Sequence, residues 1–380
     1  IRVADSGEGA RAAARSKLAA AWALLPDQPR AVLDTALSEG RVVAIPADVA
    51  KPTFGLGDGD AQQLLDEVGL VVHSAAQVSA AHSAEALIPA NSAPSLELLH
   101  FARARRLRCS EAQSARLVFV STTDVVKRDA PDESTEVQDL APSLVRADSG
   151  YAVSKYLGEQ VLVRGQALFG VPVTIVRLGF VGPHSESGQT QRGDFVGRFL
   201  QGVARLGLVI PARAEGGQSA SDASCAVLPA KEQGADASCP RFLGVVPVDV
   251  AGRMVACIAR HGCAEQAFCV AAADGSPMHD VVAAALTVRE SAPGEVATYG
   301  AFCDALRGDR DNPLNAVWEV DPRRRGARSM PSLLSTRTPD CRATTALLQG
   351  ASAGHCARWM TAAPGEGYWE RAARFLARTL

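Results

Sequence analysis

Arg116-Leu-Val-Phe-Val-Ser-Thr122 and, one loop later, Tyr151-Ala-Val-Ser-Lys155 are the stretches from which the fold can be read. The unbroken apolar run Leu117 to Val120 is the pattern of a strand buried on both faces. Tyr151 to Leu168 carries a helical pattern with Gly170 as its stop, and Val171 to Leu178 is the next strand. Upstream, Gly69-Leu-Val-Val-His73 reads as a buried strand ending in Ser74, Ala75 and Ala76, preceded by a short helix at Ala61–Val68. Arg41-Val-Val-Ala-Ile-Pro46 reads as a further short strand, Gly9–Leu25 as an alanine-rich helix, and residues 84–105 as largely helical despite Pro89 and Pro94. Downstream, the pattern resumes with the strand at Leu243–Pro247 and the helix Val248–Arg260. A strand at Phe268–Ala271 and several helices ending with Tyr368–Leu380 follow. Strands alternating with helices in this way predict an α/β fold, a doubly wound parallel sheet covered on both sides.

Residues 208–240 interrupt the alternation with Ala, Ser, Gly, Asp and Glu and read as an inserted mobile surface loop. The domain reading is therefore a nucleotide-binding domain over residues 1–262 and a smaller, mostly helical cap over 263–380. The 380 residues are 47% hydrophobic, enough for a sizeable core. Thirty-nine basic against forty-one acidic residues leave a net charge of −2. That balance argues against nucleic acid or anionic lipid as partner. No run approaches the roughly 20 apolar residues that span a bilayer. Nine cysteines form no Cys-x-x-Cys pair and no zinc-type spacing with histidine, so no metal site is expected. Their scatter suits reduced thiols in a cytoplasmic protein, with Cys257 and Cys269 as small core residues.

The chemistry sits where these elements meet. Four residues along a helix turn a side chain by only about 40°, so Tyr151 and Lys155 share a face. An ammonium beside a phenol favours the phenolate, which predicts a lowered Tyr151 pKa and a proton exchanged near neutral pH. Tyr-x-x-x-Lys alone is common by chance. Here it follows a strand whose carboxyl end presents the hydroxyls of Ser121 and Thr122, where parallel sheets place their ligand crevice.

With these residues in hand, the chain resembles an extended short-chain dehydrogenase/reductase of the Rossmann type. Longer strings resemble the thioester reductase domains that end nonribosomal peptide and polyketide synthetases, carboxylic acid reductases and aminoadipate reductases. They are Ala47-Asp-Val-Ala-Lys-Pro-Thr-Phe-Gly-Leu56, Val72-His-Ser-Ala-Ala76, Gly150-Tyr-Ala-Val-Ser-Lys-Tyr-Leu-Gly-Glu159 and Val176-Arg-Leu-Gly-Phe-Val-Gly-Pro183. Asp194–Leu200 and Val246–Val250 fit the same family, so the likeness covers residues 1 to about 262.

The resemblance implies NADPH as cofactor, and a phosphopantetheinylated acyl or peptidyl carrier domain with its acyl thioester as partner and substrate. Tyr151 would protonate the carbonyl oxygen and also contact the cofactor, Lys155 would hold the nicotinamide ribose, and Thr122 would polarise the carbonyl. Asp48 and Val49 would meet the adenine, with Ala75 and Ala76 giving the cofactor close access to backbone. The product would be an aldehyde, and with a second hydride an alcohol. Two other readings stay open: an extended short-chain reductase or epimerase acting on a free small molecule, and a non-catalytic remnant of a synthetase reductase domain.

The likeness has gaps. The family's Gly-x-x-Gly-x-x-Gly loop is absent, and Ala47, Ser79 and Pro94 replace the family's Gly, Asn and Gly. Counting Arg41–Pro46 as the third strand makes Ile1-Arg-Val3 the remnant of the second, so the first strand and its loop are expected upstream of Ile1. The arginine that would select the 2′-phosphate is expected near Val3, with Arg2, Arg11 and Arg15 as candidates.

Overall fold

The computed structural model describes residues 8–22, 27–79, 82–109, 114–127, 129–191, 193–209, 244–264, 266–272, 275–276, 278–287, 295–296, 305–306, 308–315, 341–351, 356 and 366–378. Its strands are β1 (Leu70–His73), β2 (Arg116–Thr122), β3 (Val173–Leu178), β4 (Phe180–Gly182), β5 (Leu208–Val209), β6 (Val245–Pro247), β7 (Gln266–Val270) and β8 (Glu295–Val296). Its longer helices begin with α1 (Glu8–Trp22), α2 (Asp27–Ser38), α3 (Asp58–Glu67), α4 (Ala84–Asn91), α5 (Ala93–Arg106) and α6 (Gly150–Phe169). They continue with α7 (Phe195–Leu206), α8 (Val248–His261), α9 (Met278–Leu286), α10 (Arg342–Gly350) and α11 (Tyr368–Arg378).

The main sheet runs β1-β2-β3-β7, and β1 pairs parallel with β2 so that His73 lies opposite Phe119. β4 pairs with β6, and β5 with β8, both parallel. Parallel strands joined through helices are the α/β architecture that the alternation predicts. β2 is buried on both faces, with Leu117, Val118 and Phe119 at most 1% exposed, as a strand inside such a sheet requires.

The third-strand expectation is corrected. Residues 41–46 form no strand among the described residues. A strand is defined by its partners, and Val42 instead donates its N–H to Ala36 at the end of α2. The segment expected to be largely helical over 84–105 is two helices. Pro89 lies inside α4, Pro94 starts α5, and the chain turns at Ser92. Arg2 and residues 210–240 of the expected loop lie outside the described residues.

The chain falls into two compact units, one of residues 1–127, 137–176 and 262–267, the other of 128–136, 177–261 and 268–380. In the first, α5 and α6 cover the sheet through Leu98, Leu99, Leu117, Phe119, Leu162 and Ile175. In the second, α7, α9 and α11 share a core of Phe199, Val203, Val281, Tyr368 and Trp369. Trp369 also donates its indole N–H to Ser276, which satisfies a buried polar group. Cys269 is fully buried in β7, whereas Cys257 is half-buried and free.

The first core explains how α6 comes close to the sheet. At Gly158 a side chain would sit 2.9 Å from the Phe119 ring, and at Gly165 it would meet Leu99. Gly170 ends the helix in the left-handed conformation (φ 63°), donating its N–H to Gln166.

Candidate active site

Every site residue that the sequence nominated and the structure describes belongs to the first unit. β2 carries the chain to Ser121 and Thr122. The Thr122 hydroxyl accepts the N–H of Asp124 at 3.2 Å and caps the tight turn Thr123–Val125. That contact uses an oxygen lone pair and leaves the hydroxyl proton unspent.

α6 brings Tyr151 and Lys155. Ser149 caps it by accepting the N–H of Ala152 at 3.2 Å. The next residue is held at close quarters: at Gly150 a Cβ would run into the backbone carbonyl of His82 and lie 2.7 Å from the carbonyl carbon of Ser83. Backbone cannot swing aside as a side-chain tip can. Gly150→Ala is therefore expected to cost about 1–3 kcal/mol by overpacking and to displace the neighbouring Tyr151. Thermal unfolding and turnover of the purified variant check both.

A buried network ties α6 to the loop after β1. The Asn91 carboxamide donates to the Ser154 hydroxyl at 3.0 Å and to the Gln77 carbonyl at 3.1 Å, and accepts the Gln77 N–H at 2.7 Å. Ser154 donates to the Tyr151 carbonyl at 2.8 Å, and Ser92 to the Ser154 carbonyl at 2.6 Å. Ala75 and Ala76, exposed just before Gln77, are thereby fixed relative to the Tyr151 helix. Asn91 escapes a reading by motif. Its one sequence signal is an amide placed at the junction of two proline-marked helices.

Asp48 and Val49 open a tight loop. The Asp48 carboxylate accepts the Ala50 N–H at 3.1 Å, and its own N–H goes to Phe54 at 2.8 Å. Thr53 and Phe54 adopt left-handed backbone (φ 49° and 58°), a conformation that non-glycine residues take at a cost. The Thr53 N–H is held by Glu97 of α5 at 2.7 Å. Arg11, one candidate for a cofactor phosphate, is ion-paired with Asp60.

The electrostatics depart from the expectation in one respect. Lys155 does not lower the Tyr151 phenol. Burial, with a smaller contribution from the Asp124 carboxylate, pushes it up to about 12. Spacing alone placed the amine near the phenol, but desolvation of the phenolate is the larger effect. The phenol is held as an acid.

Lys155 is 1% exposed, with Nζ 3.9 Å from the centroid of the Phe119 ring and no hydrogen-bond partner among the described residues. Burial drags its pKa from 10.5 to about 8, against the opposing pull of Glu159. His73 stacks on the same Phe119 at 5.6 Å with planes 19° apart. Its pKa falls from 6.5 to about 4 through burial and, secondarily, the charge of Lys155.

A base whose folded pKa is depressed binds more protons when unfolded, so stability rises with pH through the window between the two values. Folding stability is accordingly expected to fall as pH drops from 6.5 towards 4, by about 1.4 kcal/mol per unit at most from this group. Urea unfolding across that range should show a shallower fall in His73→Asn.

Among the described residues no cluster of His, Cys, Asp and Glu is placed to hold a metal ion. Nor is any helix among them long and apolar enough to cross a membrane.

A family model described as "Male sterility protein", of an NAD-binding type, matches residues 10–253. The chain is 29% identical over 180 residues to the L-2-aminoadipate reductase large subunit of Penicillium chrysogenum, covering 44% of this chain and 12% of that protein. It is 34% identical over 178 residues to an isonitrile lipopeptide synthase of Streptomyces coeruleorubidus, covering 44% and 11%. The chain thus spans only a small part of the length of these relatives. Its fold is similar to the terminal R domain from the myxalamid PKS-NRPS biosynthetic pathway. The TM-score is 0.67 at 19% identity, over 99% of this chain and 82% of that one.

Proposed function

The chain belongs to the NAD-binding family described as male sterility protein, and on that premise we propose that it is an NADPH-dependent reductase of carrier-bound acyl thioesters. The observation that carries this reading is the buried Lys155 ammonium one helical turn from Tyr151, beside the strand that ends in Thr122. A buried ammonium without a hydrogen-bond acceptor is costly. The ribose hydroxyls of a nicotinamide nucleotide would supply the acceptors that Lys155 Nζ lacks among the described residues. The nucleotide, when bound, supplies hydride to the acyl carbon.

The chain's own residues do the rest. Lys155 fixes the ribose. Asp48 and Val49 contact the adenine, and Ala75 and Ala76, without bulky side chains, let the cofactor approach backbone. Thr122 donates its hydroxyl proton in a hydrogen bond to the thioester carbonyl and polarises it. Tyr151, kept in its acid form, gives its proton to that oxygen as negative charge develops there. The resulting hemithioacetal expels the carrier's pantetheine thiol and leaves an aldehyde.

In this reading residues 1–262 serve the cofactor and 263–380 the acyl group. The partner is a phosphopantetheinylated acyl or peptidyl carrier domain, and the setting is cytoplasmic. The test is direct: the chain is incubated with NADPH and an acyl group loaded on a phosphopantetheinylated carrier. Loss of NADPH fluorescence matched by trapped aldehyde is expected. Turnover of a free nucleotide sugar or steroid with none of the acyl carrier would overturn the substrate assignment.

A further inference from the structure

We propose that Cys269 and Cys341 are a dithiol pair that a hydroperoxide closes to a disulfide, bracing the junction of β7 with α10. Both residues belong to the second unit, and the inference does not rest on the reaction proposed above.

The geometry begins at the start of α10. Cys341 is its N-cap, a position that favours Ser, Thr, Asp or Asn because a side-chain oxygen there accepts a free N–H of the first turn. The Cys341 side chain makes no such bond. Glu136 does the capping instead. Its carboxylate accepts the N–H of Ala343 at 2.7 Å, the N–H of Thr344 at 3.0 Å and the Thr344 hydroxyl at 2.6 Å. The Cys341 thiol is thereby free to turn to the end of β7, where its Sγ lies 3.8 Å from the Ala271 carbonyl oxygen.

β7 is held against the same helical turn from its own side. The Cys269 N–H reaches the Thr344 hydroxyl oxygen at 2.9 Å and Glu136 Oε1 at 3.3 Å. Cys269, seventy-two residues before Cys341 in sequence, then meets it in a thiol–thiol hydrogen bond. Backbone contacts on both sides of the pair fix this approach.

Both thiols are free, Cys269 fully buried and Cys341 half-buried. Access sets the order of events, since an inaccessible thiol does not react with a dissolved oxidant. The Cys341 sulfur attacks the hydroperoxide. An S–O bond forms, the O–O bond breaks, and with hydrogen peroxide the departing oxygen takes the thiol proton and leaves as water. Cys341 is then a sulfenic acid. The Cys269 sulfur next attacks the Cys341 sulfur. The S–S bond forms, the S–O bond breaks, and the Cys269 proton passes to the leaving oxygen, which departs as a second water. The two thiols lose two electrons and the peroxide gains them. The hydrogen bond with Cys341, together with burial, raises the Cys269 thiol well above its ordinary value, so it brings that proton to the step. A dithiol reductant reopens the bridge by exchange.

The test uses the full chain, reduced, freed of reductant and treated with about one equivalent of hydrogen peroxide. Its mass should fall by two hydrogens. Proteolysis without reductant should give Cys269 linked to Cys341, with fragmentation separating Cys269 from Cys263 on the same peptide. The bridged chain is expected to melt about 4 °C or more above the reduced one, because the closed loop restricts the unfolded chain. Dithiothreitol should restore both mass and melting temperature. Cys341→Ser should abolish the bridge while keeping the melting temperature of the reduced parent, because its side chain takes no part in the cap. Cys269→Ala gives a second reading: Cys341 should remain a sulfenic acid that dimedone traps. A parent chain that gains oxygen without a bridge, a bridge from Cys341 to another cysteine, or a bridged chain that melts no higher overturns the proposal.

Discussion

Replacing Tyr151 by phenylalanine is expected to lower aldehyde formation from an acyl carrier by about 10²- to 10⁴-fold, the span of a lost general acid. NADPH affinity should stay within about twofold, because Lys155 carries the charged contact to the ribose and the phenol acts chiefly on the acyl oxygen. The substitution removes one oxygen from a half-buried side chain in the first turn of α6. The helix cap at Ser149, the Ser154 contact to the Tyr151 carbonyl and the Gly150 packing all involve backbone and survive the change. Melting temperature is therefore a control that should not move. Turnover within a few fold of the parent would refute the assignment of the acid.

Lys155→Met should separate stability from function in opposite directions. In the folded chain the ammonium is buried, and its pKa is depressed from 10.5 to about 8, a cost of about 3 kcal/mol at neutral pH. Methionine fills similar volume without a charge to desolvate. The variant is expected to unfold at a higher temperature near pH 7 while binding NADPH about tenfold or more weakly, since a charged hydrogen bond to the ribose is gone. The pH dependence has a definite sign. Unfolded chains hold the lysine proton up to 10.5 and the folded chain only to about 8, so parent stability rises with pH across that window. In Lys155→Met that rise should be missing. A variant less stable than the parent at pH 7, with unchanged NADPH affinity, would mean that the ammonium has a structural partner and no cofactor role.

The parts of this fold legible in the sequence are those written locally. The run Leu117–Val120 announces β2 because four apolar residues in succession suit few other places. Tyr151–Leu168 announces α6 through its period and its terminal glycine. What the sequence hid depends on contacts made far away. Arg41–Pro46 has the composition of a strand, but composition cannot supply a neighbour, and Val42 spends its N–H on α2. Helix α2, Asp27–Ser38, lies in a stretch left unread; it holds Pro29 in its first turn, where the missing N–H costs nothing.

The site divides in the same way. Thr122, Tyr151 and Lys155 are recognisable from order and spacing. Asn91 is not, because it matters through Gln77 and Ser154, 14 and 63 residues distant. The sign of the Tyr151 effect was likewise out of reach: spacing reports that an amine is near, whereas only the packed chain reports that burial prevails.

The proposed reaction requires an amine, a phenol and a hydroxyl to meet at one nicotinamide. A crystal structure of the chain with bound NADPH measures this most directly. It should show Lys155 Nζ within about 3 Å of the ribose hydroxyls and the Tyr151 and Thr122 oxygens both facing the hydride-bearing carbon. A nicotinamide bound elsewhere, with Lys155 still stacked on Phe119 and no ribose contact, would contradict it.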